Sequence, residues 1–330
     1  MPAPRIAVIG VLVALLAGCG AEPAPAPTAS APSTASPSAT PTALRLRYEV
    51  DTGNDTRGLA IQGDAVWAVS FGSGRLMRIR PADSVITDRL TPGPSIATVL
   101  GTQDALWLGA QGGPSASRVF RVDPATRRVV AEIETGDLCC ELFEGAGSIW
   151  ALERTWNVVR IDTQTNKVVG RFPVTVDPSA KRVNAVFGGD SVWFSGGPTL
   201  TRIRVADGTT EQIDTGGGVP LRARAGLMWG ASAKELWALD MASGKVVRRV
   251  PVSAFDVVSL NLDDDSIWVG ILRTSRTGAL LRLDQASGAV RGEFGGLTYP
   301  ARIEIGFGSV WVADPGKGSV FRVEATDSPN

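Results

Sequence analysis

No histidine occurs in the 330 residues. That absence excludes Ser-His-Asp hydrolysis, Cys-His catalysis, imidazole metal sites and a histidine pH switch. Any proton transfer falls to Asp, Glu, Lys, Tyr or cysteine. Cysteine is scarce too, with three in the chain: Cys19, Cys139 and Cys140. Net charge is absent, since 33 basic side chains face 33 acidic ones. The chain therefore has no global attraction for nucleic acid, and no Lys/Arg stripe with interleaved aromatics supplies a local one. A long apolar run is missing as well. The N-terminal stretch IAVIGVLVALLAGC is too short for a membrane span.

What the chain does contain is one phrase repeated seven times: a turn, a small residue, an aliphatic residue and Trp. It reads GDAVW ending at Trp67, QDALW at Trp107, AGSIW at Trp150, GDSVW at Trp193, AGLMW at Trp229, DDSIW at Trp268 and FGSVW at Trp311. The spacing is roughly 40 residues, in the range of propeller-blade repeats. Each repeat has four short β-rich segments. Between Ser95 and Thr135 these are an apolar segment around Ala97 to Leu100, then ALWLG, then RVFRV with period-two alternation, then VVAEIET. Such segments separated by turn clusters predict antiparallel sheets. The tight turn DPATRR before the last segment recurs from Asp162, Asp240 and Asp284. Asp there can accept from backbone N–H groups ahead of it, while Gly244, Gly288 and Asn166 tolerate left-handed backbone. The repeated Trp is expected in the core between adjacent blades.

The two ends of the chain complement each other. The last repeat has three strand segments and no fourth. LRLRYEVDTG from Leu44 resembles a fourth strand and has no partners of its own. It is expected to complete the last blade, which removes two exposed sheet edges. The expected fold is all-β: a seven-bladed β-propeller over residues 44–326, closed by this N-terminal strand, with a tail at 327–330.

Residues 1–18 have signal-peptide form, with Arg5 ahead of the apolar run. Leu16, Ala17, Gly18 and Cys19 match the lipobox of bacterial lipoproteins. That resemblance implies cleavage before Cys19 and attachment of lipid, palmitate included, to its thiol. The alternative is an ordinary secretory signal with an incidental Cys. Residues 19–43 are rich in Ala, Pro, Ser and Thr with almost no charge, which predicts a disordered, partly polyproline II tether. The expected location is the extracytoplasmic face of the cell membrane, held by lipid alone.

The blade phrases SVWVADPGKGSVFRV and SIWALERTWNVVRIDTQTNKVV resemble the YVTN-type β-propeller repeats of bacterial exported proteins. The resemblance covers the chain after the linker and is specific for fold. Streptogramin lyases use a similar seven-bladed propeller, but their chemistry depends on a catalytic histidine and a bound magnesium ion. With no histidine to match, that activity does not carry over. No Gly-His or Trp-Asp dipeptide of WD40 propellers occurs here, and the further motifs of quinoprotein dehydrogenases are missing too.

Cys139 and Cys140 are adjacent, in TGDLCCELFEG. An exported location favours oxidation. Neighbouring Cα atoms sit ~3.8 Å apart, below the ~4.4–6.8 Å usual for disulfides, so a bond between them needs a distorted peptide. Free buried thiols, or a metal or intermolecular role, are the alternatives. Counted back from Trp150, the pair falls where the chain enters the innermost strand of its blade. The aligned entrances hold Arg57, Arg182, Asn184, Tyr299 and Arg302. In propellers these connections share a face with the loops between second and third strands, which here carry Glu153, Arg154, Trp156, Ser232, Lys234, Arg273 and Asp314. A concave channel mouth is the default binding site. The candidate ligand-binding residues are therefore Arg57, Cys139, Cys140, Glu141, Glu153, Arg154, Trp156, Arg182, Asn184, Tyr299, Arg302 and Asp314. Asp263, Asp264 and Asp265 align with first-to-second turns on the opposite face and lack the ligand spacing of a calcium loop.

The expectation is a monomeric, non-enzymatic binding or scaffold module for a small molecule, glycan, peptide or partner protein, with no cofactor, metal or nucleic acid. The alternative is an extracytoplasmic lyase or hydrolase using carboxylates at the channel mouth, with Glu141, Glu153, Glu304 and Asp314 as its acids and bases.

Overall fold

The computed structural model describes residues 43–113, 117–139, 141–178 and 180–326. The signal segment, Cys19, Cys140 and the 327–330 tail lie outside them. Among the described residues, 28 strands form seven antiparallel four-stranded sheets. Six sheets follow chain order, as in blade 1: Thr56–Gln62, Ala65–Ser70, Arg75–Arg80 and Val85–Leu90. The seventh joins Arg302–Gly306, Ser309–Asp314 and Ser319–Thr326 to Ala43–Asp51, which becomes its outermost strand. Leu46 pairs with Val323 and Val50 with Val320, with a bulge between Leu46 and Tyr48. The ring closes through this strand as its sequence resemblance to fourth strands predicts.

The seven repeated Trp side chains carry the core, each no more than 2% exposed. They sit on second strands whose neighbours on both sides are also buried, because the next blade covers one sheet face and the preceding blade the other. In six blades an Arg of the third strand stands directly opposite the Trp: Arg78, Arg121, Arg160, Arg202, Arg282 and Arg322. The last five lie 5.1–5.5 Å from the indole centroid, within cation–π range. Four of them also donate Nε to a Ser two residues before the Trp, as Arg202 does to Ser191 at 2.9 Å. Blade 5 departs from the pattern. Ala238 stands opposite Trp229, and a second buried tryptophan, Trp237, donates its indole N–H to the Gly217 carbonyl instead.

Turn chemistry follows the sequence. Asp123, Asp162 and Asp240 accept backbone N–H groups two or three residues ahead at 2.7–3.2 Å. Asn166, Gly244 and Gly288 adopt positive φ of 55°, 68° and 78°. Arginines latch three of the third-to-fourth turns to the preceding blade. Arg121 donates to Thr163 O at 2.8 Å, Arg248 to Ala286 O at 3.0 Å, and Arg322 to Pro81 O across the closure.

Candidate functional site

The innermost strands surround a cavity of about 740 Å³. Their registers sort its wall into layers. The residue paired with each Trp is Ala60, Leu100, Phe143 and Val186 in blades 1–4. In blades 5–7 it is Arg222, Asn261 and Glu304. Of this layer, Leu100, Phe143 and Val186 in blades 2–4 and Arg222 in blade 5 line the cavity. Two residues earlier along the chain the next layer holds Thr98, Glu141, Asn184, Ser259 and Arg302.

Side chains in these layers reach across the axis. Arg302 of blade 7 donates Nη1 to Glu141 Oε2 of blade 3 at 3.0 Å, and Nε to Glu304 Oε1 at 2.9 Å. Blades 3 and 7 are not neighbours in the ring, so this ion pair spans the channel. Thr98 donates to the same Glu141 oxygen at 2.9 Å. Arg182, at the entrance of blade 4, skips blade 5 to reach Asp256 at 3.4 Å and the Val257 carbonyl in blade 6. Arg222 of blade 5 reaches Glu304 at 3.4 Å. Asn184 holds the Pro220 carbonyl at 2.8 Å, and Ser259 the Pro300 carbonyl at 2.6 Å.

The two deep arginines differ in compensation. Burial works to lower the pKa of Arg302, but Glu141 and Glu304 outweigh it and raise the value above the ordinary one. Burial dominates at Arg222 and pushes its pKa down, with Glu304 opposing and Arg302 adding to the depression. Arg222 is nonetheless 27% exposed. It is surrounded by protein yet reached by solvent, as a side chain in the wall of a narrow channel must be. Charges in such a site interact more strongly than at an open surface.

The sequence-derived candidates separate into two groups. Arg57, Cys139, Glu141, Arg182, Asn184, Tyr299 and Arg302 all line the cavity. Arg57 is held by a two-bond pair with Asp55 at 2.7 and 2.8 Å and lies 4.2 Å from the Phe71 ring centroid. The Cys139 carbonyl accepts from Gln111 at 3.0 Å. The second-to-third loop residues tie their loops to neighbouring segments of the same blade. Glu153, 2% exposed, accepts from Gly136 N, Arg171 and Thr155. Asp314, fully buried, accepts from Thr298, Tyr299, Gly316 and Lys317. Arg154 pairs with Asp137 at 3.6 Å, and Trp156 shapes its turn at φ 61°. None of these four lines the cavity. Of the proposed acids and bases, Glu141 and Glu304 come together, but on one shared guanidinium.

Asp263 to Asp265 occupy a first-to-second turn, as their alignment predicts. Asp263 accepts the Trp268 indole N–H at 2.7 Å, Asp264 pairs with Arg224 at 2.7 Å, and Asp265 with Arg282 and Arg291.

Arg222, Asp55, Thr98, Gln111 and Ser259 line the cavity and were not singled out by sequence. A signal existed for Arg222. It stands seven residues before its Trp, where four of the seven repeats have an apolar residue. No protein-family model matches the chain, and no curated protein is similar enough to match it.

Proposed function

We propose that this propeller is a binding module whose small-molecule ligand enters the central channel at the face formed by Arg57, Arg182 and Tyr299. The observation that carries this reading is the cavity of about 740 Å³, within the size range of ligand pockets, lined by both apolar side chains such as Leu100, Phe143 and Val186 and charged ones such as Arg222 and Arg302. Loop carboxylates that an enzyme would need free, those of Glu153 and Asp314, are spent on backbone donors instead. The test is a thermal-shift screen of metabolites and cell-wall fragments, followed by calorimetry. At least one compound is expected to raise the melting temperature and bind with unit stoichiometry. Turnover of a bound compound would replace the binding reading with an enzymatic one.

The blade phrases support membership of the YVTN-type exported propellers, and the lipobox supports attachment through Cys19. On that reading the module is displayed at the extracytoplasmic face of the membrane. Cys19→Ala is expected to release the protein from the membrane fraction or block its processing. A mutant that stays membrane-bound and fully processed contradicts the anchor. Export also supports a bond between Cys139 and Cys140 beside the cavity. Intact mass before and after reduction and alkylation decides it, and two alkylatable thiols in freshly purified, unreduced protein overturn it.

A further inference from the structure

Four arginines line the cavity: Arg57, Arg182, Arg222 and Arg302. Three of them each make two hydrogen bonds. Arg57 holds both oxygens of Asp55. Arg182 holds Asp256 and the Val257 carbonyl. Arg302 holds Glu141 and Glu304. Arg222 differs. A guanidinium carries five N–H donors, and among the described residues Arg222 makes one hydrogen bond, to Glu304 Oε1 at 3.4 Å. That oxygen already accepts from Arg302 at 2.9 Å. The Arg222 Nε is buried with no partner.

A buried donor without an acceptor costs about 1–3 kcal/mol. Sharing its one distant acceptor with Arg302 leaves the Arg222 charge weakly compensated, which adds to that cost. Both are removed by an anion with two acceptor oxygens, because the Nε–Nη edge of a guanidinium matches a carboxylate in a two-bond fork. The single long bond to Glu304 resists the necessary rotation only weakly. In the same layer as Arg222, Leu100, Phe143 and Val186 present apolar surface.

Resting on the channel-binding reading, we propose that Arg222 anchors the carboxylate of a small organic acid whose apolar body lies against Leu100, Phe143 and Val186. A neutral analogue loses the charge-assisted fork. A cationic one meets Arg222 and Arg302 unfavourably.

The test uses the full chain and three probes with the same phenyl body and chain length: 3-phenylpropionate, its amide and 3-phenylpropylamine. Calorimetry is expected to show the acid binding roughly tenfold or more tighter than either analogue. Arg222→Gln should remove that difference. In the unsubstituted protein, the ¹⁵N-resolved Nε–H signal of Arg222 should shift on saturation with the acid, a readout that does not depend on the variant folding. Binding of the amide or amine as tightly as the acid, with Arg222 unshifted, overturns the carboxylate inference and leaves the channel reading standing. No binding by any of the three also overturns it, while the channel reading then answers to the wider screen and to a channel-filling variant.

Discussion

Arg302 and Glu141 are 161 positions apart in the chain and join at 3.0 Å across the propeller axis. Their blades are separated by two others on one side and three on the other. The pair therefore ties opposite sides of the ring, and Glu304 and Arg222 extend it around the wall.

Removing the two partners should have unequal effects. Arg302→Gln leaves the carboxylates of Glu141 and Glu304 with only the 3.4 Å contact of Arg222 to Glu304 for counter-charge and should cost about 3 kcal/mol. Glu141→Gln leaves Arg302 with Glu304, and Glu141 is 37% exposed, so it should cost about 1 kcal/mol. Urea unfolding of both variants and the double variant measures this. An Arg302→Gln cost no larger than that of Glu141→Gln contradicts the shared-guanidinium account.

Ring closure makes a sharper demand. Deleting residues 44–51 removes the outer strand of blade 7 and uncovers the edge of Ser319–Thr326. The melting temperature of the propeller should fall on the order of 10 °C or more. A truncated chain that melts like the full one contradicts closure by this strand.

Arg202 shows how the Trp clamp works in a single blade. It is 7% exposed, bonded to Ser191 and Asp190 at 2.9 Å each, and 5.1 Å from the Trp193 centroid. Arg202→Ala should cost about 2 kcal/mol, through a lost cation–π contact and a hydroxyl left without its donor. A cost below about 0.5 kcal/mol, the level of ordinary surface changes, means that the Trp alone carries the blade.

The Asp-capped turns set acid sensitivity. Hydrogen bonds from Ser287, then Arg291, hold the Asp284 carboxyl at about 2, below its ordinary 3.8. A depressed folded-state value gives stabilisation that is present above pH 3.8 and lost as pH falls toward 2. The melting-temperature gap between the unsubstituted protein and Asp284→Asn should therefore shrink between about pH 4 and 2. A gap constant over that window removes the carboxylate from the explanation.

Most of the fold is legible in the sequence because one large side chain repeats in phase with the blades. Trp67 to Trp311 mark second strands, and counting back from each locates the innermost strand. Arg57, Glu141, Arg182 and Arg302 follow from that count, since innermost-strand entrances converge on the axis. Loop residues do not follow. Glu153 and Asp314 have the right address, but their carboxylates turn onto N–H groups of the adjoining blade-entrance connection, at Gly136 and at Thr298 and Tyr299, which composition does not reveal. Arg222 was hidden differently. It pairs with Trp229 in unbroken register from the hairpin turn, at a position where four other repeats carry an apolar residue, so its place in the wall shows only when the count runs from the Trp.

The central claim is that ligand occupies the channel, and filling the channel tests it most directly. Leu100 lines the cavity opposite Trp107, and Leu100→Trp places an indole in that space. Calorimetry with a screened ligand should show binding to the unsubstituted protein and a loss of roughly 100-fold or more in a variant that remains folded, about 2.7 kcal/mol. Undiminished affinity in the folded, channel-filled variant contradicts the account.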